Sequence, residues 1–368
     1  MVFRAAEKLG QKSRKNPIEK SMDIIEGKYE VVIVEQTWGL ALSGGGIRAA
    51  VHIGVLQVLE DHGLMPDCIA GTSGGAIVAG LYAAGLTGYQ LEEVFLEQIP
   101  AKRRLLDWNW PGLWRRLLGS KHKGAGFLRG VALEQRLEKY LPGPKTLAQL
   151  GALQANSRQR RGLIIHAVDL HDGRETLFCD THTAAGLRRC SQGLHRHYRI
   201  SSNCTIARAI RASCSIPGIF LPPTIGGQRY VDGGVRQGYP LEALLEVGGV
   251  TAALGVQLGY SGQRRDNGKT WGMADVLGQS LDIMMLHQYR LTKRQERWPG
   301  RKGVTLLPHI YDVGLFDLAQ IPALVAAGRD LIARYLQSRG ITAHQSIPTK
   351  HRLLLPSVPG MVEFPSGW

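Results

Sequence analysis

The sequence predicts an α/β fold with three layers, a mostly parallel central sheet covered on both faces by helices. Trp38-Gly39-Leu40-Ala41-Leu42 and Cys68-Ile69-Ala70 are short apolar runs, each followed closely by a glycine cluster. Beyond each cluster, apolar or small residues recur at helical spacing: Val51, Gly54, Val55, Val58 and Leu59 after the first, Ala76 to Ala84 after the second. Gly162–Val168 and Val250–Leu258 add further buried strand patterns, and strands alternating with helices build parallel sheets. With 368 residues the chain can bury a large core in one big α/β domain or two smaller ones.

Taken in order, residues 1–37 are polar and mixed in charge and read as an N-terminal arm, within which Tyr29–Val34 has the make-up of a short strand. Trp38–Leu42 is a central strand. The helix from Ile47 to His62 is closed by Gly63 as a C-cap. Residues about 101–130 read as a cap-like insertion, because Trp108, Trp110 and Trp114 are interleaved with basic residues that include Arg115 and Arg116. Tryptophan favours a bilayer interface and arginine favours anionic head groups, but a buried tryptophan cluster with a solvated basic rim fits the same pattern. Glu175–Phe178 suits the partner strand of a hairpin with Gly162–Val168, and Val325–Leu336 is a late helix. Residues 261–368 read as a C-terminal helical extension packed on the same domain, ending from Ile347 in a proline-bearing tail. Within it, Arg290, Lys293, Arg294, Arg297, Arg301 and Lys302 have the spacing of a solvated helix face.

Apolar residues make up 44% and charged residues 20%, which excludes a disordered chain. Forty-five Lys and Arg against 30 Asp and Glu leave a formal charge of +15, so the surface should attract anions such as nucleic acid or anionic phospholipid; for the chain as a whole the expected partner is a peripheral anionic membrane surface, with no nucleic acid. The five cysteines are odd in number and match no metal spacing, which suits reduced thiols in a cytoplasmic protein. Met1–Lys8 contains no apolar core of a secretory signal, and no apolar run reaches the ~18 residues of a membrane span. Contact with a membrane would therefore be peripheral, at its inner face. No metal or cofactor is expected.

Chemistry concentrates at three glycine-rich turns. Gly71-Thr72-Ser73-Gly74-Gly75 fits the Gly-x-Ser-x-Gly pattern at a strand-to-helix turn, where small neighbours let a serine oxygen stand clear of the backbone. The same turn would also suit a serine that caps the following helix. Ser43-Gly44-Gly45-Gly46-Ile47-Arg48 can aim several backbone N–H groups at one point at a helix N-terminus, as an oxyanion hole or a phosphate cradle does. The cradle lacks a Gly-Lys-Ser/Thr ending, and Ala49 stands at the third glycine of Gly-x-Gly-x-x-Gly. Arg48 suits holding that loop or meeting an anionic head group. Asp232-Gly233-Gly234 ends the apolar run Tyr230-Val231 and reads as a carboxylate presented into a cleft or as an ordinary Asp-Gly turn. None of the 12 histidines has a comparable setting; His52 and His166 read as core residues or as supports of the site.

These three motifs, in this order, resemble the patatin-like phospholipase family. Ala49-Ala50-Val51-His52-Ile53-Gly54-Val55-Leu56 is similar to the family's helix after the glycine loop, and Ile210–Phe220 to its approach to the aspartate. The resemblance is clear over about residues 38–260, which it marks as the catalytic domain, and is closest to bacterial single-domain members. It implies a serine lipid acyl hydrolase of phospholipase A or lysophospholipase type, cleaving phospholipid or lysophospholipid esters through an acyl-enzyme. It implies a Ser73–Asp232 dyad with the N–H groups of Gly44, Gly45, Gly46 and Ile47 as oxyanion donors. Gly71, Gly74, Gly75, Gly233, Gly234 and Arg48 would support the turns. A catalytically silent lipid-binding protein of the same fold and a nucleotide-binding protein are the alternatives.

Overall fold

In the computed structural model, the residues described are 37–97, 107, 126–155, 161–190, 198–259, 272–294, 302–308, 310, 313–314 and 317–341. All belong to one unit, Gln36–Trp368. Strand β1 (Trp38–Leu42) runs through a 3-10 turn (Gly46–Ala49) into helix α1 (Ala50–Asp61). Strand β2 (Cys68–Thr72) turns directly into α2 (Gly74–Ala83), and α3 (Gly88–Leu96) follows. Next come β3 (Gly126–Leu128), α4 (Val131–Tyr140), α5 (Leu147–Ala155), β4 (Gly162–Asp169), β5 (Glu175–Cys179), α6 (Thr181–Cys190) and β6 (Tyr198–Ser201). Helix α7 (Ile206–Ser213) precedes β7 (Gly218–Phe220), β8 (Thr224–Ile225) and β9 (Gln228–Asp232). Helix α8 (Leu241–Val247), β10 (Ala252–Val256), α9 (Met273–Arg294), β11 (Lys302–Leu306) and α10 (Ile321–Ser338) complete the order.

The main sheet runs β11-β10-β1-β2-β4-β5-β6, with β9 paired to β4 and β8. From β11 to β4 every pairing is parallel, whereas β5 and β9 are antiparallel to β4. The predicted mostly parallel sheet and the β4–β5 hairpin are both present. The stretch read from sequence as a helical extension also adds a strand: β11 pairs with β10 at the edge. Lys302 begins that strand and so does not belong to the predicted basic helix face; α9 is described to Arg294, and Arg297 and Arg301 lie outside the described residues.

Alternate residues of each central strand face opposite layers, as period-two geometry requires. Leu163, Ile165 and Ala167 of β4 join one core with Leu40, Leu42 and Ile69, packed under residues of α1, α2, α7 and α10. Ile164 joins the other core with Ala41, Ala70, Leu241, Leu244 and Tyr289. Helix α10 lies so close to α1 that a Cβ on Gly328 would collide with the Val51 carbonyl, so this crossing requires a residue without a side chain.

Register brings two distant segments together. Strand β2 climbs β4 until Thr72 faces His166. On β4, Ala167 and Val168 pair with β5 on one side and with Asp232 and Val231 of β9 on the other. Strand β9 therefore descends the same edge that β2 climbs, and the two end at neighbouring steps.

Candidate active site

Ser73 sits in the turn between β2 and α2 with φ 52° and ψ −123°, and it is the only non-glycine residue of the described chain with positive φ. Such a conformation costs on the order of 1–3 kcal/mol and persists where the surroundings impose it. Its side chain does not cap α2, which removes the helix-cap reading. The glycines beside it allow the turn to pack: a Cβ on Gly75 would strike the Leu42 and Ser43 carbonyls.

Three consecutive residues at the end of α7 hold both candidates. The Ser213 hydroxyl accepts the Ser73 N–H at 2.9 Å and donates to the His166 carbonyl at 2.6 Å. The Cys214 thiol donates to the Ser73 carbonyl at 3.2 Å. The Ser215 carbonyl accepts the Asp232 N–H at 2.9 Å. Composition and spacing did not mark Ser213–Ser215; only their place in the family-like block Ile210–Phe220 hinted at them.

Asp232 is buried at 4% exposure. Its Oδ1 accepts the Gly234 N–H at 2.7 Å, while Oδ2 is buried with no hydrogen-bond partner. Burial pushes this carboxyl up to about 6, against the opposing pull of the Ser73 hydroxyl, the Gly234 N–H and His166. The serine hydroxyl thus acts on the carboxylate while standing short of full hydrogen-bond geometry, a looseness common in unliganded sites.

The glycine loop after β1 lies against this pair, since a Cβ on Gly44 would stand 3.2 Å from Ser73 Cβ. One expectation is corrected here. The Gly44 N–H donates to the Gly238 carbonyl at 2.8 Å, so it is engaged as part of the loop's anchoring. The Gly45 N–H has no hydrogen-bond partner among the described residues. Gly46 and Ile47 begin the 3-10 turn, where the first amides lack partners within the helix. Arg48 donates through Nε to the Gly45 carbonyl at 3.1 Å and through a terminal nitrogen to Asp282 at 2.5 Å. A trans peptide points its C=O and N–H in opposite directions, so tying back the Gly45 carbonyl turns the Gly46 N–H away from Arg48. His52 donates to the Ser43 carbonyl at 2.9 Å, and burial lowers it to about 4, so it is a neutral support of the loop.

Helix α9 lies over these turns. Asp282 meets Arg48, Met285 stands against Gly44, Gly234 and Gly238, and Gln288 accepts the Gly238 N–H at 3.1 Å. Its inward face was missed at the sequence level, although Asp282, Met285 and Tyr289 have the i, i+3, i+7 spacing that could have marked it. The fourth side of the site is His166, whose Nδ1 faces Gly233 closely enough to exclude a Cβ there. Trp108, Trp110, Trp114, Arg115 and Arg116 lie outside the described residues.

The sequence profile of the patatin-like phospholipases matches residues 40–245. The chain belongs to the patatin-like phospholipase family. It is 31% identical over 205 residues to the uncharacterized protein YqhO of Bacillus subtilis, covering 54% of this chain and 64% of that protein. It is 25% identical over 217 residues to the lysophospholipase NTE1 of Debaryomyces hansenii, covering 59% of this chain and 11% of that one. Among solved structures, VipD from Legionella pneumophila is similar with a TM-score of 0.42 and 14% identity over 83% of this chain and 67% of that one. The matched region thus spans less than two thirds of the length of these curated relatives.

Proposed function

We propose that this patatin-like chain is a serine lipid acyl hydrolase that cleaves carboxylic esters of phospholipids or lysophospholipids through a Ser73–Asp232 dyad. The observation that carries the reading is a buried carboxylate with one unpartnered oxygen, held beside a serine in a strained turn. A structural turn gains nothing from that arrangement. An unsatisfied buried acceptor costs about 1–3 kcal/mol, and the strain adds to it.

In the proposed cycle Ser73 Oγ attacks the ester carbonyl carbon and its proton passes to Asp232. The negative charge that develops on the carbonyl oxygen meets the amides of Gly45 and Gly46, with Ile47 and Gly74 as neighbouring donors. Each such donor is worth about 3 kcal/mol, or roughly a hundredfold in rate. The tetrahedral species expels the alcohol or lysolipid, which takes the proton from Asp232. Water, deprotonated by Asp232, then attacks the acyl-serine, and Ser73 recovers its proton as the fatty acid leaves. Every step is met by serine, carboxylate and backbone amides.

The substrate would be reached at an anionic membrane surface from the side. The outer face of α9 supports this, with Val276, Ile283 and Met284 about half exposed and Arg290 on the same side. Tryptophan and arginine between Trp108 and Arg116 add interface-seeking side chains. No helix among the described residues is long and apolar enough to cross a membrane. Ile283→Asp with Met284→Asp should reduce sedimentation with phosphatidylglycerol vesicles; undiminished sedimentation would remove this face from the reading.

A fluorophosphonate probe tests the chemistry. It should label the wild type and fail to label Ser73→Ala, while mass spectrometry of a mixed lipid extract should show fatty acid released by the wild type only. A folded wild type that takes no label would overturn the proposal.

A further inference from the structure

We propose that His166 is a positioning residue for Asp232: paired with Glu175, it places an imidazole edge against the Asp232–Gly234 turn and so orients the carboxylate that faces Ser73. This deepens the dyad reading and rests on it.

The observations converge on one side chain. His166 is fully buried in the middle of the sheet. Its Nε2 lies 2.9 Å from Glu175 Oε2. The other oxygen of Glu175 meets Arg236 Nε at 3.2 Å, and Arg236 also donates to the Gly173 carbonyl at 3.0 Å. Burial alone would push Glu175 up, but His166 and Arg236 outweigh it and hold the carboxyl below its ordinary value. An ionised Glu175 fixes the proton on Nε2, as carboxylates do for catalytic and metal-bound histidines. That leaves Nδ1 as the free end of the ring. It is buried, has no hydrogen-bond partner and abuts Gly233, the residue between Asp232 and Gly234.

The backbone of the same residue completes the connection. The His166 carbonyl accepts from Ser213, which accepts the Ser73 N–H. One position of β4 therefore reaches both halves of the proposed dyad, through Ser213 on the serine side and through Gly233 on the aspartate side. Among the described residues, the titratable groups that face Asp232 are Ser73 from the β2–α2 turn, His166 from β4 and Cys214 at the end of α7. Those that face the His166 ring are Glu175 from β5 and Asp232 from β9. Of these, Ser73 and His166 both favour the carboxylate form of Asp232.

The test follows the Asp232 carboxyl by 13C NMR of protein labelled at aspartate Cγ, with the resonance assigned by its loss in Asp232→Asn. In His166→Gln the Asp232 midpoint should move up by about half a pH unit or more, because the group favouring the ionised form is gone. With a water-soluble ester, kcat should fall and the acid limb of the rate profile should move the same way, with KM held. If His166→Gln does not fold, the wild type answers the question. The 15N signal of His166 Nδ1 should shift across the pH range in which Asp232 titrates, and that shift should vanish in Asp232→Asn. An Asp232 midpoint unmoved in folded His166→Gln, or an Nδ1 signal indifferent to Asp232, overturns the inference. Neither NMR readout requires turnover, so loss of probe labelling would sink the hydrolase reading by a separate measurement.

Discussion

Replacing Asp232 with asparagine should abolish hydrolysis and stabilise the fold at once. Burial raises this carboxyl from 3.8 to about 6, so the folded protein holds the proton more tightly than the unfolded chain does. Protonation therefore favours folding. The penalty is absent below the unfolded value, develops as pH rises from about 4 to about 6, and is complete above that. At 1.36 kcal/mol for each pH unit, the rise amounts to about 3 kcal/mol at pH 8. Asparagine removes the charge, keeps an oxygen for the Gly234 N–H, and puts an amide where Oδ2 has no partner. The buried amide returns part of the gain, leaving about 1–3 kcal/mol, or roughly 1–4 °C in Tm for a chain of this size. Urea titration and thermal melts at pH 8 and pH 4 provide the assay. The variant should be more stable at pH 8, equal to the wild type near pH 4, and inactive at both. In the wild type, kcat/KM should fall about tenfold for each pH unit below 6, as Asp232 takes up the proton it must accept from Ser73. A variant that loses stability at pH 8, or keeps its activity, refutes the reasoning that burial poises this carboxylate for proton transfer.

The other expected outcomes separate the parts of the site. Gly44→Ala places a methyl 3.2 Å from Ser73 Cβ and 3.5 Å from Met285 Cε, so turnover of a soluble ester should drop at least about tenfold while Tm moves little, because the crowding falls where substrate must enter. Ser213→Ala leaves the Ser73 N–H without its acceptor and the His166 carbonyl without its donor; it should cost about 1–3 kcal/mol by urea denaturation and lower kcat more than KM. Gly328→Ala drives a methyl into the Val51 carbonyl and should cost about 1–3 kcal/mol or more in thermal stability, without changing the pH profile of whatever activity remains.

The elements legible in the sequence are those written in local patterns. β1 and β2 are apolar runs stopped by glycine, and α1, α2 and α10 show apolar positions at helical spacing, so each could be placed from its own residues. The elements that were not legible depend on pairing across the chain. β11 is five residues with a charged start, and its partner β10 lies almost fifty residues earlier. The inward face of α9 takes meaning from partners far off in the chain, among them Arg48, more than two hundred residues away. The anchoring of the Gly44 amide needs Gly238, which no spacing within the loop announces.

The meeting of Ser73 with Asp232 also depends on pairing across the chain and was legible only through the family resemblance, and its register offers a physical reason for the proposed dyad rather than a triad. Thr72 faces His166 and Asp232 faces Ala167, so the residue after β2 and the last residue of β9 start from adjacent steps along a single edge of β4. Successive steps on a strand are about 3.3 Å apart, a spacing already at hydrogen-bond scale and too small to admit an imidazole between two side chains. The one histidine at this level, His166, belongs to β4 itself and turns its Nε2 to Glu175 on the opposite edge. A histidine in line between serine and aspartate would require β9 to stop farther along the edge. With β9 where it is, the proposed dyad would have the carboxylate take the proton itself, and burial is what would make it basic enough to do so.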